Sequence, residues 1–280
     1  MRSIAVANQK GGVGKTTTSV NLAVAMARAG QDVCLVDLDP QAHATLHAGV
    51  QPGLHPLSAY DVLVGGATLA EARVTAAERL HVIPSHIDLS AVEMALANRP
   101  GREGILRQRI EADDACQGKG DAVRHDAMII DCPPSLGLLS LNAMASVDEV
   151  LLPLQPHFLA LHGLSKLLET MELVADRVNP RLRLLGVVLC MYESSTRLAN
   201  EVARDVEGFF ESGRDRHPAW ANARVFRTRI RRNIRLTEAP SFGQSIFDYA
   251  PDSHGAEDYA ALAGEVIQAA VDRREVRRAA

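Results

Sequence analysis

The run Lys10-Gly11-Gly12-Val13-Gly14-Lys15-Thr16-Thr17 gathers two lysines, three glycines and two hydroxyls in eight positions, the residue types that handle phosphate. Glycines allow a tight turn whose backbone N–H groups surround an anion, and a helix starting at the end of that turn adds its own attraction for negative charge. In such a loop Lys15 reaches the β- and γ-phosphates and Thr16 offers its hydroxyl to Mg²⁺. The ordinary phosphate loop has a glycine seven positions before the threonine. Here that position is Gln9, and a second lysine, Lys10, stands beside it. Two acidic segments accompany the loop. Asp37-Leu38-Asp39-Pro40-Gln41 closes one apolar run, and Asp131-Cys132-Pro133-Pro134-Ser135 closes Met128-Ile129-Ile130. An apolar strand ending in Asp supplies the magnesium-side carboxylate of phosphate-loop enzymes. Taken singly, an Asp at a strand end is more often a turn or cap residue, so the weight lies in the order of the three segments. A dinucleotide site is excluded, because the third glycine is missing and Lys-Thr stands where close packing is needed.

These residues need a scaffold that brings strand ends together. The periodicity predicts a strand over Ile4–Ala7, a helix from about Lys15 to Ala29 ended by Gly30, and a buried strand over Asp32–Asp37. Short helical stretches are expected near 57–64, 88–97 and 102–113, with a strand at His81–Pro84 and a polar loop near Gln117–Asp121. Ala127–Asp131 and Glu149–Leu154 read as central strands flanking helical Leu138–Ala145. A helix from Ala160 to Val178, a strand at Leu184–Met191, a helix at Thr196–Phe210, a last strand at Ala223–Thr228 and a terminal helix at Ala256–Arg274 complete the rhythm. Strands alternating with helices of this length predict an α/β fold, a mostly parallel twisted sheet with helices on both faces in three layers. The carboxyl ends of such strands face the ligand crevice, so the three segments should meet on one edge. No linker or internal repeat divides residues 1–280, and one domain is expected.

Composition narrows the class without choosing a partner. Apolar residues make up 47% of the 280 and aromatic residues 4%, which is globular usage rather than disorder. A formal net charge of −4 means that any nucleic-acid site must be a local patch. The cysteines Cys34, Cys116, Cys132 and Cys190 form no CxxC pair and read as reduced thiols. The first strand begins near Ser3, so no signal peptide is expected, and no apolar run approaches a membrane span.

With these motifs assembled, the chain resembles the ParA/MinD family of deviant Walker ATPases, specifically its Soj-like chromosome-partition members. Further matching stretches are Asn21-Leu22-Ala23, Leu154-Gln155-Pro156, Gly163-Leu164-Ser165, Thr196-Arg197-Leu198 and Asn233 to Ser241. The resemblance covers nearly the whole chain. It implies that Lys10 is the signature lysine, crossing in an ATP-sandwich homodimer to the partner's phosphates as an arginine finger would. It further implies that Lys10, Gly11, Gly12, Val13, Gly14, Lys15, Thr16 and Thr17 bind ATP, with Thr17 near the α-phosphate. Asp39 would orient or deprotonate the attacking water, and Thr16, Asp131 and Asp39 would form the Mg²⁺ side, with Asp131 acting through water. Lys10, Lys15 and Asp39 are thus the expected catalytic set. Asp37 reads as a structural carboxylate. The implied reaction is slow ATP hydrolysis timing a monomer–dimer switch. Two departures stand out. Ala42-His43 follow Gln41 where the family has Gly-Asn, with His43 read as solvent-facing or capping, and Arg231 stands where the family generally has a proline beside the adenine.

Arg224, Arg227, Arg229, Arg231, Arg232 and Arg235 fall within twelve positions, with no acid until Glu238. Phosphate backbones favour such a cluster. A solvated strand-turn face paired with acids such as Glu201 or Asp205 is the alternative. Soj-like proteins bind double-stranded DNA without sequence preference in the ATP state, and Arg197 and Arg232 match positions used for it. The expected DNA set is therefore Arg197, Arg227, Arg229, Arg231, Arg232 and Arg235, contacting backbone rather than bases. The resemblance also implies a ParB-like activating partner and a cytoplasmic, nucleoid-associated location. A MinD-like membrane switch needs an amphipathic tail, but Val266–Arg278 lacks the Leu, Phe or Trp of an interfacial anchor, so membrane binding is not expected. Cys132 could serve an iron–sulfur relative only with a second suitably placed thiol, and packing is the expected role. A protein assembly as cargo stays open.

Overall fold

Successive side chains of a strand point to opposite faces, so strands apolar at every position must be covered on both sides. That is the arrangement here, in a computed structural model that describes residues 1–116, 124–158, 160–213 and 215–279, with the side chains of 115, 116 and 272–279 outside the description. The expected loop near Gln117–Asp121 also lies outside the described residues. In chain order the elements are β1 (Arg2–Val6), α1 (Lys15–Arg28), β2 (Val33–Asp37), α2 (His43–His47), α3 (Leu69–Ala72), β3 (Val74–Ala77), β4 (Leu80–Ile83), α4 (Val92–Ala95) and α5 (Ile105–Cys116). There follow β5 (Ala127–Asp131), α6 (Leu138–Ser146), β6 (Glu149–Leu154), α7 (Ala160–Arg177), β7 (Arg183–Tyr192), α8 (Arg197–Gly213), β8 (Ile230–Arg231), α9 (Ile234–Glu238), α10 (Ile246–Tyr249) and α11 (His254–Ala279).

The strands form one sheet in the order β3-β4-β2-β5-β1-β6-β7-β8, parallel except for β3 against β4. Ala5, Cys34, Val36, Met128 and Ile130 enter the core beneath α5, α6, α7 and α8. Their neighbours Ile4, Val6, Leu35 and Ile129 enter the core beneath α1, α10 and α11. This is the three-layer α/β architecture expected. Register sets the site: Val6 lies beside Asp131, and Asp37 lies beside Asp131 on the other side, so β1, β2 and β5 end level.

Helix α1 keeps its predicted limits within a residue, and Gly30 follows its end with φ +89°. The last strand does not fall at Ala223–Thr228. Val225 makes a single bridge to Val187, after which the carboxylate of Glu265 on α11 accepts from the N–H groups of Arg227 and Thr228 at 3.1 and 2.7 Å. Ladder pairing resumes only at Ile230–Arg231. The edge strand β3 and the short helices between Ile234 and Tyr249 were not legible as elements in the sequence. Among the described residues no helix is long and apolar enough to cross a membrane.

Candidate nucleotide site

The loop between β1 and α1 is shaped by two glycines that need a left-handed backbone, Gly12 at φ +73° and Gly14 at φ +91°. An L side chain resists that conformation by roughly 1–2 kcal/mol per residue. Gly14 is also the N-cap of α1 and has no side chain to satisfy the helix's first N–H groups, which leaves them for an anion. A Cβ at Gly14 would lie 3.7 Å from Cβ of Cys190, so the end of β7 supports the loop from below. Beside the loop opens a cavity of about 540 Å³ lined by Gly11, Gly12, Gly14, Lys15, Thr16, Thr17, Asp39, Gln41 and His43 on one side. Cys190, Met191, Ile230, Arg231, Leu236, Pro240 and Tyr259 line its other side.

Asp131 is fully buried. Its Oδ2 accepts from the Thr16 hydroxyl at 2.9 Å and its Oδ1 from the Ser19 hydroxyl at 2.7 Å. Burial, and after it the neighbouring Asp37, raise its pKa; a carboxylate held this way is short of positive charge. Burial lowers the pKa of Lys15, which Asp131 partly offsets, and its ammonium donates to the Lys10 carbonyl at 2.9 Å. A hydroxyl and an underneutralised carboxylate side by side, with left-handed glycines and orphan N–H groups around them, fit Mg²⁺ and a phosphate chain.

Asp37 is spent on structure. It accepts from the Asp39 N–H, the Thr45 N–H and the Thr45 hydroxyl at 3.0, 2.8 and 2.7 Å, which folds segment 38–45 against the sheet. Asp39 stands on that segment, its Oδ1 accepting from the Gln41 N–H at 3.0 Å, and it lines the cavity. Ala42 has φ +54°, the left-handed turn for which the family's usual residue at this place is glycine. That turn starts α2 at His43, an exposed side chain on the cavity wall that caps nothing.

Lys10 is absent from the cavity wall. Its Nζ lies 2.6 Å from Nε2 of His157, in the segment after β6, where it is the donor and the neutral imidazole the acceptor. Burial and Lys10 itself hold His157 below the ordinary histidine range. Beside them Phe158 is 87% exposed. Cys132 is buried, its thiol pushed up by burial.

The arginines are less bare than their sequence context suggests. Arg197 pairs with Glu201 at 2.7 Å, Arg232 with Glu193 and Arg235 with Glu238 at 2.8 Å. Arg229 lies over the Tyr192 ring at 4.5 Å, donates to its hydroxyl, and approaches Glu207 at 3.5 Å. Arg227 has no side-chain partner among the described residues. Arg231 and Arg232 both line the nucleotide cavity; Arg231 differs in being tied to Asp258 and Glu257 of α11. The pairs of Arg197 and Arg235 are local, within α8 and α9, whereas the acids that meet Arg229, Arg231 and Arg232 come from α8, α11 and the β7–α8 connection, beyond a local scan of the basic stretch. Ser19 was also missed, although it follows Lys15 by one helical turn and so shares its face. Cys190 and Tyr259 carried no sequence signal.

A glycine-turned phosphate loop after the first strand of a parallel sheet, with a threonine and a strand-end aspartate hydrogen-bonded beside it, defines a P-loop nucleotide-binding protein. The AAA_31 family model, an AAA domain, matches residues 1–184. The chromosome partitioning protein ParA of Caulobacter vibrioides is 41% identical over 275 residues, covering 98% of this chain and 97% of that protein. The sporulation initiation inhibitor protein Soj of Bacillus subtilis is 43% identical over 264 residues, with 94% and 97% covered. Among solved structures, cobyrinic acid a,c-diamide synthase from Mycobacterium smegmatis, with bound ATP analogue and magnesium, superposes with TM-score 0.77 at 35% identity, covering 96% and 95% of the two chains. The chain belongs to the ParA/MinD family of deviant Walker P-loop ATPases, on its ParA/Soj side.

Proposed function

We propose that residues 1–280 act as one DNA-partition ATPase in which Mg·ATP joins two copies into a sandwich that holds DNA, and slow, partner-stimulated hydrolysis ends the assembly. The observation that carries this reading is the division of labour between the two loop lysines. Lys15 lines its own cavity, whereas the Lys10 ammonium is held outside it by His157, so it is available to a second chain's phosphates at the cost of one exposed hydrogen bond.

In this reading the N–H groups at Gly11–Thr17 and the Lys15 ammonium bind the phosphate chain. Thr16 and Asp131 hold Mg²⁺, which when bound neutralises the β- and γ-oxygens. Asp39, with one oxygen engaged by the Gln41 N–H, has the other to orient a water. Arg197, Arg232 and Arg235 make solvent-exposed ion pairs worth about 0–1 kcal/mol each. They can exchange a carboxylate for a DNA phosphate with little loss, and counterion release then favours the exchange. Arg227 and Arg229 lie on the same stretch. The protein would work in the cytoplasm on the nucleoid, with a ParB-like activator; the close relatives named for chromosome partition favour chromosome cargo. Of the apolar tail side chains that a membrane anchor would use, Val266 is buried in the core, Ile267 packs against it and Val271 is exposed.

Asp39→Ala tests the cycle. With Mg·ATP the variant should stay dimeric and DNA-bound, by size exclusion and gel shift, while hydrolysis falls to background. Normal turnover, or ATP-independent DNA binding, would overturn the reading.

A further inference from the structure

The cavity beside the phosphate loop has two ends of different chemistry. Glycine N–H groups, Lys15, Thr16 and Asp39 make one end, which suits phosphate. The other is formed by the apolar Met191, Ile230, Leu236 and Pro240 together with Arg231, Arg232, Asn233 and Thr237, and a nucleotide whose phosphates occupy the first end lays its base there. Among these polar groups the Arg231 guanidinium is the one clamped to α11.

The bonding of that guanidinium is specific. The Arg231 backbone N–H donates to Asp258 Oδ2 at 2.9 Å, and Nε donates to both oxygens of the same carboxylate at 3.0 and 3.1 Å. One terminal nitrogen donates to Asp258 Oδ1 at 2.6 Å and to Glu257 at 2.9 Å. Asp258 is itself nearly buried, at 7% exposed, so the anchor is rigid. These bonds spend one edge of the planar group on α11. Its flat faces, which carry no donor, are not consumed by them. A guanidinium is weakly hydrated and stacks on aromatic planes.

We propose that Arg231, locked by Asp258 and Glu257, is a stacking platform for a purine base in the nucleotide site. This rests on the nucleotide reading above. It assigns Arg231 to ATP and removes it from the DNA-contacting set, and it makes Asp258 and Glu257 positioning residues. A face-on contact reads the area and planarity of the base rather than its hydrogen-bonding edge. The site should therefore prefer purines to pyrimidines while Arg231 itself distinguishes adenine poorly from guanine.

The test is calorimetric titration, with Mg²⁺, of ATP, CTP and inorganic tripolyphosphate into the wild-type chain, Arg231→Ala and Arg231→Lys. Both variants should bind ATP about three- to tenfold more weakly, between what an exposed and a fully desolvated cation–π contact supply. Tripolyphosphate should bind all three proteins alike, and the preference for ATP over CTP should narrow. Arg231→Lys keeps a cation for Asp258 but has no plane, so a purely structural clasp would be rescued by it and a platform would not. Wild-type ATP affinity in the lysine variant overturns the proposal. So does an equal loss of ATP and tripolyphosphate binding in Arg231→Ala. A wild-type chain that binds none of the three ligands would instead sink the nucleotide reading, and the proposal with it.

Discussion

Removing one hydroxyl beneath the phosphate loop should loosen the whole metal side of the site. Ser19 is fully buried on α1, and its Oγ lies 2.7 Å from Asp131 Oδ1 and 3.0 Å from the Lys15 carbonyl. A hydroxyl has one proton, so the shorter, charge-assisted bond to the carboxylate dominates. Hydrogen bonds to charged groups contribute about 1.5–3 kcal/mol, while Ser→Ala in a helix interior returns roughly 0.5 kcal/mol of propensity. Ser19→Ala should therefore lose about 1–2.5 kcal/mol, which for a chain of this size lowers the apo melting temperature by about 2–8 °C. The functional consequence is separate. Asp131 keeps only Thr16 as a side-chain donor, and losing a hydrogen bond that orients a metal-ligating carboxylate weakens metal affinity by about tenfold or more. The assay is a thermal melt of the apo protein together with a Mg²⁺ titration of fluorescent ATP binding, using Ser19→Thr as the variant that keeps a donor. An unchanged melt and an unmoved Mg²⁺ midpoint in Ser19→Ala would refute the reasoning, because both follow from the same oxygen–oxygen contact.

Two further outcomes follow from the charges. Arg232→Glu reverses a side chain that is 63% exposed and should abolish the DNA gel shift while ATP-dependent dimerisation persists; in the wild type, log affinity should fall with log salt at a slope of about −0.9 per phosphate contacted. His47 is buried with its Nε2 unpartnered, and burial holds its pKa down to about 4. A base depressed on folding stays fully stabilising above its unfolded value of about 6.5 and loses that stability as pH falls toward its folded value, about 2.5 kcal/mol between pH 7.5 and 4.5. Urea unfolding should show His47→Gln losing correspondingly less over that interval, and identical pH slopes would contradict the assignment.

Periodicity and glycine placement made the central strands and α1 legible from sequence, and with them the convergence of Lys15, Thr16, Asp39 and Asp131. These rest on local backbone geometry: a strand apolar at every position, a left-handed glycine, an aspartate at a strand end. The end of the sheet beyond β7 was not legible. Glu265 takes the N–H groups of Arg227 and Thr228 before a ladder can form there, and nothing near residue 225 announces a carboxylate forty positions on. The same holds for Arg229, Arg231 and Arg232, which look unpaired along the chain and meet Glu207, Asp258 and Glu193 across it.

By itself, then, the sequence determined the phosphate loop, the two strand-end carboxylates and the presence of a second lysine, because each depends on neighbours within one turn or one strand. The tertiary structure decided where the cations point. It turned Lys10 out of its own cavity to His157 and Arg231 into that cavity against Asp258. The pairing of Arg229, Arg231 and Arg232 is settled by which distant carboxylates folding brings within reach, and sequence spacing does not encode that distance.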